Sequence, residues 1–130
     1  MDDLYTDSAK RVMAIAQEQA NYFRHQAIGT EHLLLALTIE DKGVAGQVLK
    51  QAMVTPSDVR REIERLAGYG NLLRQSPSNY LPYSPKAKAV LDETRKQAFL
   101  TGAVRIGTEH FLLALLSDED ILSSRIITSL

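Results

Sequence analysis

Apolar residues recur at helical spacing along the chain. One apolar face over residues 7–25, preceded by Thr6 as a cap, predicts a first helix. A short segment over 31–40 is apolar almost all round and predicts a buried helix. Further helices are predicted over 44–53 and over 55–68, where Thr-Pro-Ser-Asp supplies a cap, a proline and an acid at the start. The pattern therefore predicts an all-α fold.

Much of the first half of the chain returns 78 residues later. Ile28–Leu37 reappears as Ile106–Leu115 with one difference, and the match extends without a gap in both directions. It predicts a helix over 85–102, capped by Ser84, and a second buried helix over 109–117. We therefore expect two pseudo-symmetric tandem helical repeats in one globular domain, with residues 84–130 superposing on 6–52.

The repeat also predicts the domain organisation. Repeat one covers about residues 5–68 and repeat two covers 84–130. Between them, residues 69–83 are rich in glycine, proline, serine and asparagine, which is typical of a linker. Several apolar residues in this linker favour packing along the surface. Leu130 aligns with Ala52, so repeat two is predicted to be incomplete, and we interpret the chain as a fragment of a longer polypeptide.

Composition excludes several classes of function. The net charge is −1, from 15 basic and 16 acidic residues, which argues against nucleic acid as a partner. The absence of cysteine excludes a disulfide scaffold and a thiolate metal site. Neither a signal peptide nor a membrane span is evident, so we expect a cytoplasmic protein with no membrane partner.

The segment Gly-Thr-Glu-His, present in both repeats, is the main candidate for function. Helix-start chemistry explains most of it: glycine makes a turn, threonine caps, and glutamate at the first position meets the positive end of the helix dipole. That explanation fits Glu31 and Glu109 less well, because several polar residues would serve there equally.

Catalytic and metal-binding interpretations are weak. Glu31 and His32 are adjacent, about 100° apart on a helix, so they are not expected to form an acid–base pair. The three histidines, His25, His32 and His110, lack the spacing of a metal-binding helix, and no phosphate loop or nucleophile elbow is present. We expect no catalytic residue, metal or cofactor. A hydrolase using Glu31 and Glu109 would need both in one cleft, whereas twofold symmetry favours two pockets.

Five segments carry a resemblance to a known family: Tyr5–Lys10, Ala16–Ala20, Ile28–Leu37, Tyr83–Lys88 and Ile106–His110. The sequence resembles the amino-terminal (Clp repeat) domain of Clp-type AAA+ unfoldases, most closely those of the ClpC type. The resemblance implies a helical module on a hexameric ATPase ring that recruits adaptor proteins and protein substrates. The ring would unfold them for a partner Clp protease, through ATPase modules that this chain lacks.

The resemblance also implies a ligand, phosphorylated arginine. The matching residues are Thr6 and Glu31 in repeat one, and Ser84 and Glu109 in repeat two, with Lys86 as an added positive charge. A helix start can bind the phosphate, while a carboxylate can accept the guanidinium. An alternative is a stand-alone helical scaffold of the same fold that binds partner helices and serves no ATPase.

Overall fold

The computed structural model describes residues 4–70, 80–118 and 126–127, and in this part of the chain the fold is all-α, as predicted. Apart from two isolated β-bridges, regular structure there is helical. The six named helices are α1 (Asp7–Tyr22), α2 (Thr30–Ile39), α3 (Val44–Gln51), α4 (Pro56–Leu66), α5 (Pro85–Leu100) and α6 (Thr108–Leu116). Predictions for linker residues 71–79, and most of those for residues after 118, lie outside the described residues.

Both long helices end in the same way. α1 ends at Tyr22, earlier than the predicted residue 25, because Arg24 adopts a left-handed φ of 58°. The His25 N–H then bonds the Ala20 carbonyl instead of continuing the helix. At the symmetric position in α5, Gly102 has φ 69°. The apolar face could not reveal this end, because Phe23 is buried although it lies outside the helix.

Reciprocal β-bridges relate the two repeats. Tyr5 pairs with Ile106, and Ile28 pairs with Tyr83, which exchanges equivalent positions of the 78-residue repeat. The Thr6 N–H bonds the Ile106 carbonyl at 2.9 Å, and the Ser84 N–H bonds the Ile28 carbonyl at 2.9 Å. The predicted pseudo-symmetry is therefore confirmed. It places the start of α1 beside the start of α6, and the start of α5 beside the start of α2.

The core is built around α2 and α6, the two short apolar helices. Every side chain from Leu33 to Leu37 is fully buried, because α1, α3, α4, α5 and α6 all pack against α2. The repeats differ on one face. Leu113 and Leu116 of α6 are 46% and 48% exposed, whereas their counterparts Leu35 and Thr38 are buried where α4 packs on α2.

None of the helices within the described residues combines the length and apolar character that crossing a membrane requires.

Gly46 lies where α3 meets the preceding loop, and a Cβ atom there would overlap the backbone at the Glu40 carbonyl. We therefore expect Gly46→Ala to destabilise the domain by about 2 kcal/mol, because overpacking against backbone outweighs the better helix propensity of alanine. Urea unfolding followed by circular dichroism measures this. Gln51→Ala, an exposed change in the same helix, is the control, and equal stability of the two variants would contradict the expectation.

Candidate functional site

The caps of α1 and α5 lie beside the segments that lead into α6 and α2, the helices whose first turns carry the glutamates of the opposite repeat. The backbone bonds from Thr6 to Ile106 and from Ser84 to Ile28 bring Thr6 towards Glu109, and Ser84 towards Glu31. The sequence interpretation paired Thr6 with Glu31 and Ser84 with Glu109. That pairing was wrong, because the β-bridges carry each cap to the other repeat. We call the two sets the α1 site (Thr6, Ser8 and Glu109) and the α5 site (Ser84, Lys86 and Glu31).

Each site begins with a hydroxyl at the start of a long helix. The Thr6 hydroxyl oxygen accepts the Ala9 N–H at 3.1 Å, and the Ser84 oxygen accepts the Ala87 N–H at the same distance. Both caps were correctly predicted. A hydroxyl that accepts a cap bond still has its own O–H to donate. The first turns of these 16-residue helices also present N–H groups and the positive end of a dipole.

Both glutamates fold back over the glycine two residues earlier. A Cβ atom on Gly29 would overlap the Glu31 carboxylate, and one on Gly107 would overlap the Glu109 carboxylate. The two half-buried carboxylates therefore take up the same position in each repeat, over the turn that faces the opposite cap. This explains the Gly-x-Glu spacing better than a dipole effect alone, because glycine provides the space for the carboxylate.

Histidine, and not threonine, supplies the cap of α2 and α6. Gly29 is the N-cap residue, and its N–H donates to His32 Nδ1 at 2.8 Å. The equivalent bond from Gly107 to His110 is 2.9 Å. The prediction that Thr30 caps α2 was wrong, since Thr30 is the first helical residue. The histidine at the third helical position accepts the N–H of the N-cap residue, as glutamate or glutamine usually does in a capping box.

In repeat one a second histidine extends this arrangement. His25 Nδ1 lies 2.8 Å from His32 Nε2, and His25 Nε2 lies 2.7 Å from the Gly68 carbonyl. Because Gly29 donates to His32 Nδ1, the His32 proton must be on Nε2 and donate to His25, which then donates to Gly68. Burial, with a smaller effect of nearby His25, lowers the pKa of His32 to about 3. Repeat two has Ala103 in place of His25.

Glu31 lies near the two histidines, although helical spacing places Glu31 and His32 about 100° apart. One donor atom from each of His25, Glu31 and His32 lies within 4.8 Å of the others. Adjacent residues meet here because His32 bends back to cap the helix while Glu31 folds over Gly29. Burial raises the pKa of Glu31, although its backbone N–H and His25 act in the opposite direction. Since His32 Nε2 carries a proton while the Gly29 bond stands, it has no lone pair for a metal, and we assign none.

The two sites carry different charges. In the first turn, the α1 site has exposed Asp7 where the α5 site has Pro85, and Ser8 where the α5 site has Lys86. Arg11, one turn further along α1, is bound to the Glu40 carboxylate at 2.7 Å and to the Ser8 hydroxyl at 3.1 Å. Burial opposes the ionisation of Glu40, but the bonds from Arg11 and the Gly43 N–H leave its pKa lowered. Arg11 is therefore already paired.

The two helical repeats pack so that the long helix of each begins beside the short apolar helix of the other. This arrangement defines a two-repeat helical domain with one polar candidate site at each of the two junctions. Residues 4–130 match the family described as the Clp repeat (R) N-terminal domain, and the chain belongs to it.

Known relatives agree. The chain is 38% identical over 125 residues to the ATP-dependent Clp protease ATP-binding subunit ClpC of Staphylococcus saprophyticus. It is 34% identical over 126 residues to the chaperone protein ClpB of Oceanobacillus iheyensis. The matches cover 96% and 97% of this chain, but it spans only about 15% of either relative's length. Its fold is similar to the N-terminal domain of ClpD from Arabidopsis thaliana, with TM-score 0.79, 20% identity, and coverage of 97% of this chain and 84% of that one.

Proposed function

We propose that this domain recruits adaptor proteins and protein substrates to a ClpC-like ATP-driven unfoldase, and that it binds segments marked by phosphorylated arginine. It supplies recognition and no catalysis of its own. Unfolding and delivery to a Clp protease belong to ATPase modules of the kind found in its longer relatives. One observation supports the proposal most strongly. In both repeats, a long helix capped by a hydroxyl begins beside the turn that carries a glutamate of the other repeat.

The chemistry of the ligand suits such a pair. Phosphoarginine carries a dianionic phosphate and a guanidinium on the same end of one side chain. A helix start with free N–H groups binds the phosphate, while the carboxylate over the neighbouring glycine accepts guanidinium N–H groups bidentately. A site with only one of these groups would bind phosphoserine or unmodified arginine as readily. The pair is therefore what favours phosphoarginine.

The two sites are expected to differ in affinity. Asp7 repels a phosphate at the α1 site, whereas Lys86 attracts one at the α5 site. Such exposed charges contribute up to about 1 kcal/mol, which corresponds to about fivefold in affinity. We expect phosphoarginine to bind the α5 site about fivefold more tightly in two-site calorimetry. Asp7→Asn should reduce this difference in affinity, while Asp58→Asn, on α4, which contacts neither α1 nor α5, should not. Tighter binding at the α1 site would reverse the ranking.

A stand-alone scaffold of the same fold is the second candidate. The observation that favours it is a groove of about 190 Å³ lined by Leu4, Phe99, Val104 and their neighbours, in which Phe99 and Val104 are 83% and 95% exposed. An apolar groove of this kind suits a partner helix. A scaffold would bind its partner through Phe99 and Val104 and would be indifferent to Glu31 and Glu109.

One experiment separates the candidates. A segment phosphorylated on arginine, the same segment unphosphorylated, and its phosphoserine analogue are titrated against ¹⁵N-labelled domain. The recognition proposal expects shifts at the Ala9 and Ala87 amides, beside the two caps, with the phosphoarginine segment only. Equal shifts with all three segments, or none with phosphoarginine, would reject phosphoarginine as the ligand. Shifts confined to Phe99 and Val104 would favour the scaffold.

A further inference from the structure

An exposed aromatic pair lies close to the α5 site. Tyr22, the last residue of α1, and Tyr69, just after α4, have ring centroids 6.2 Å apart. They are 58% and 46% exposed, so their ring faces are accessible to a ligand. Large aromatic side chains exposed side by side are unusual in a small domain unless they contact something.

The backbone holds this pair in place. The Gly70 N–H bonds the Phe23 carbonyl at 2.8 Å, and the Gly68 carbonyl is bonded by His25. These two bonds bracket Tyr69 and fix it against the end of α1. A side chain at Gly70 would overlap the Arg24 carbonyl, so the two segments are in direct backbone contact. The aromatic pair is therefore preorganised, and ligand binding would not have to order it.

A continuous row of rings joins the pair to the carboxylate of the α5 site. The Tyr69 ring lies 5.3 Å from that of Phe23, which stacks on His25 at 5.6 Å. His25 in turn has a donor atom within 4.8 Å of the Glu31 carboxylate. An extended peptide advances about 3.3 Å per residue. A peptide whose arginine binds Glu31 would therefore place a residue up to about five positions away over the two tyrosines.

The charge beside the pair selects the kind of side chain. The Tyr69 hydroxyl donates to the Glu64 carboxylate at 3.0 Å, and Tyr22 shares a hydrogen bond with Tyr69. Two aromatic faces next to an exposed carboxylate form a favourable environment for an ammonium or guanidinium group. On α4, the Arg65 guanidinium is already paired with Glu62.

We propose that Tyr22 and Tyr69 are a second contact of the α5 site and bind a lysine or arginine up to about five residues from the recognised phosphoarginine. This inference rests on the proposed function and adds a sequence preference to it. The α1 site should lack the preference, because Leu100 occupies the position equivalent to Tyr22 and the tyrosine pair is therefore not present there. The domain thus carries its own internal control.

The test uses phosphoarginine peptides with lysine, alanine or glutamate three, four or five residues before or after the arginine. Affinities for each site are read separately from ¹⁵N amide shifts beside the two caps. The lysine peptide should bind the α5 site about threefold more tightly than the alanine peptide, in the range of an exposed cation–π contact, and the glutamate peptide more weakly. The α1 site should show no preference between lysine and alanine.

Matched variants decide whether the rings are responsible. Tyr22→Leu combined with Tyr69→Leu keeps the apolar bulk but removes the π faces, so it should abolish the lysine preference. Tyr69→Phe keeps the ring and should retain most of it. Thermal unfolding checks that each variant is folded. A preference that survives the double leucine variant, or a preference for glutamate, would overturn the proposal.

The outcomes also separate this inference from the function on which it rests. Tight binding of phosphoarginine peptides, with no effect of lysine, rejects the aromatic contact and leaves the proposed function intact. If no phosphoarginine peptide binds, the proposed function fails. The peptide with lysine and unmodified arginine then tests the contact directly: ring-proton shifts at Tyr22 and Tyr69 that the alanine peptide does not produce would support it, and their absence would reject it.

Discussion

Replacing Glu109 with alanine should remove phosphoarginine binding at the start of α1, not at the start of α5 in its own repeat. The reason is that the backbone bond from Thr6 to Ile106 brings the start of α6, and with it Glu109, towards Thr6. Glu31→Ala should likewise affect only the site at Ser84. A hydrogen-bonded charge contributes about 1.5–3 kcal/mol, so each loss is expected to weaken its own site by about 10- to 150-fold.

The measurement is an NMR titration that follows the Ala9 amide for the α1 site and the Ala87 amide for the α5 site. Glu18→Ala, an exposed change on α1, is the control for loss of a single negative charge. Loss of the Ala87 response in Glu109→Ala would support the pairing within one repeat that the sequence suggested. If neither variant affects binding, both glutamates have only a structural role at the starts of their helices.

The fold could be predicted largely from sequence because its signals are local or repeated. Helical spacing located every named helix, and the 78-residue repeat correctly implied that the two halves are related by symmetry. Helix ends were less predictable. Arg24 takes a left-handed conformation that glycine takes at the symmetric position 102, and nothing in the pattern around an arginine indicates this.

The candidate site could be proposed from the sequence only as a set of residues. The sequence selected Thr6, Ser84, Glu31 and Glu109, but their grouping depends on which repeat each cap touches. A repeat alone cannot distinguish pairing within a copy from pairing between copies, because both are symmetric. The short β-bridges at Tyr5 and Tyr83 determine it, and a single bridged residue leaves no strand pattern in a sequence.

The row of hydrogen bonds from Gly29 through His32 and His25 to Gly68 was not predicted, for a different reason. Helical geometry separates adjacent residues, so nothing in the sequence indicated that Glu31 and His32 lie close together, and no acid–base pair was expected. In the first turn of a helix, however, side chains can fold back towards the cap, and both residues do so over Gly29. The signal that could have revealed this is the capping-box position of His32, three residues after the glycine.

Stability should fall as the solution is acidified through the range in which free histidine takes up a proton. The unfolded chain protonates His32 below its ordinary pKa of 6.5, whereas the folded chain resists until about 3. The stabilising contribution is therefore complete above pH 6.5 and is lost progressively as the pH falls towards 3, at about 1.4 kcal/mol per pH unit. We expect about 2 kcal/mol to be lost between pH 7 and pH 5.

Two carboxylates also act on this slope. The lowered pKa of Glu40 adds to the loss in acid, because the folded chain holds that proton less readily than the unfolded chain. The raised pKa of Glu31 acts in the opposite direction and adds stability as the pH falls through its folded value. A comparison of wild type with one variant at each pH cancels such contributions, provided the variant leaves the two carboxylates in place.

His32→Gln is the variant that isolates the histidine. Glutamine at the third helical position can still accept the Gly29 N–H, as in an ordinary capping box, but it does not titrate. Urea unfolding at several values between pH 7 and pH 5 gives the free energy of unfolding for both proteins. The advantage of wild type over the variant should shrink by about 2 kcal/mol across this range. A difference that stays constant with pH would mean that His32 accepts a proton equally well in the folded and the unfolded protein. The hydrogen bonds that link Gly29, His32, His25 and Gly68 would then not hold the His32 imidazole neutral.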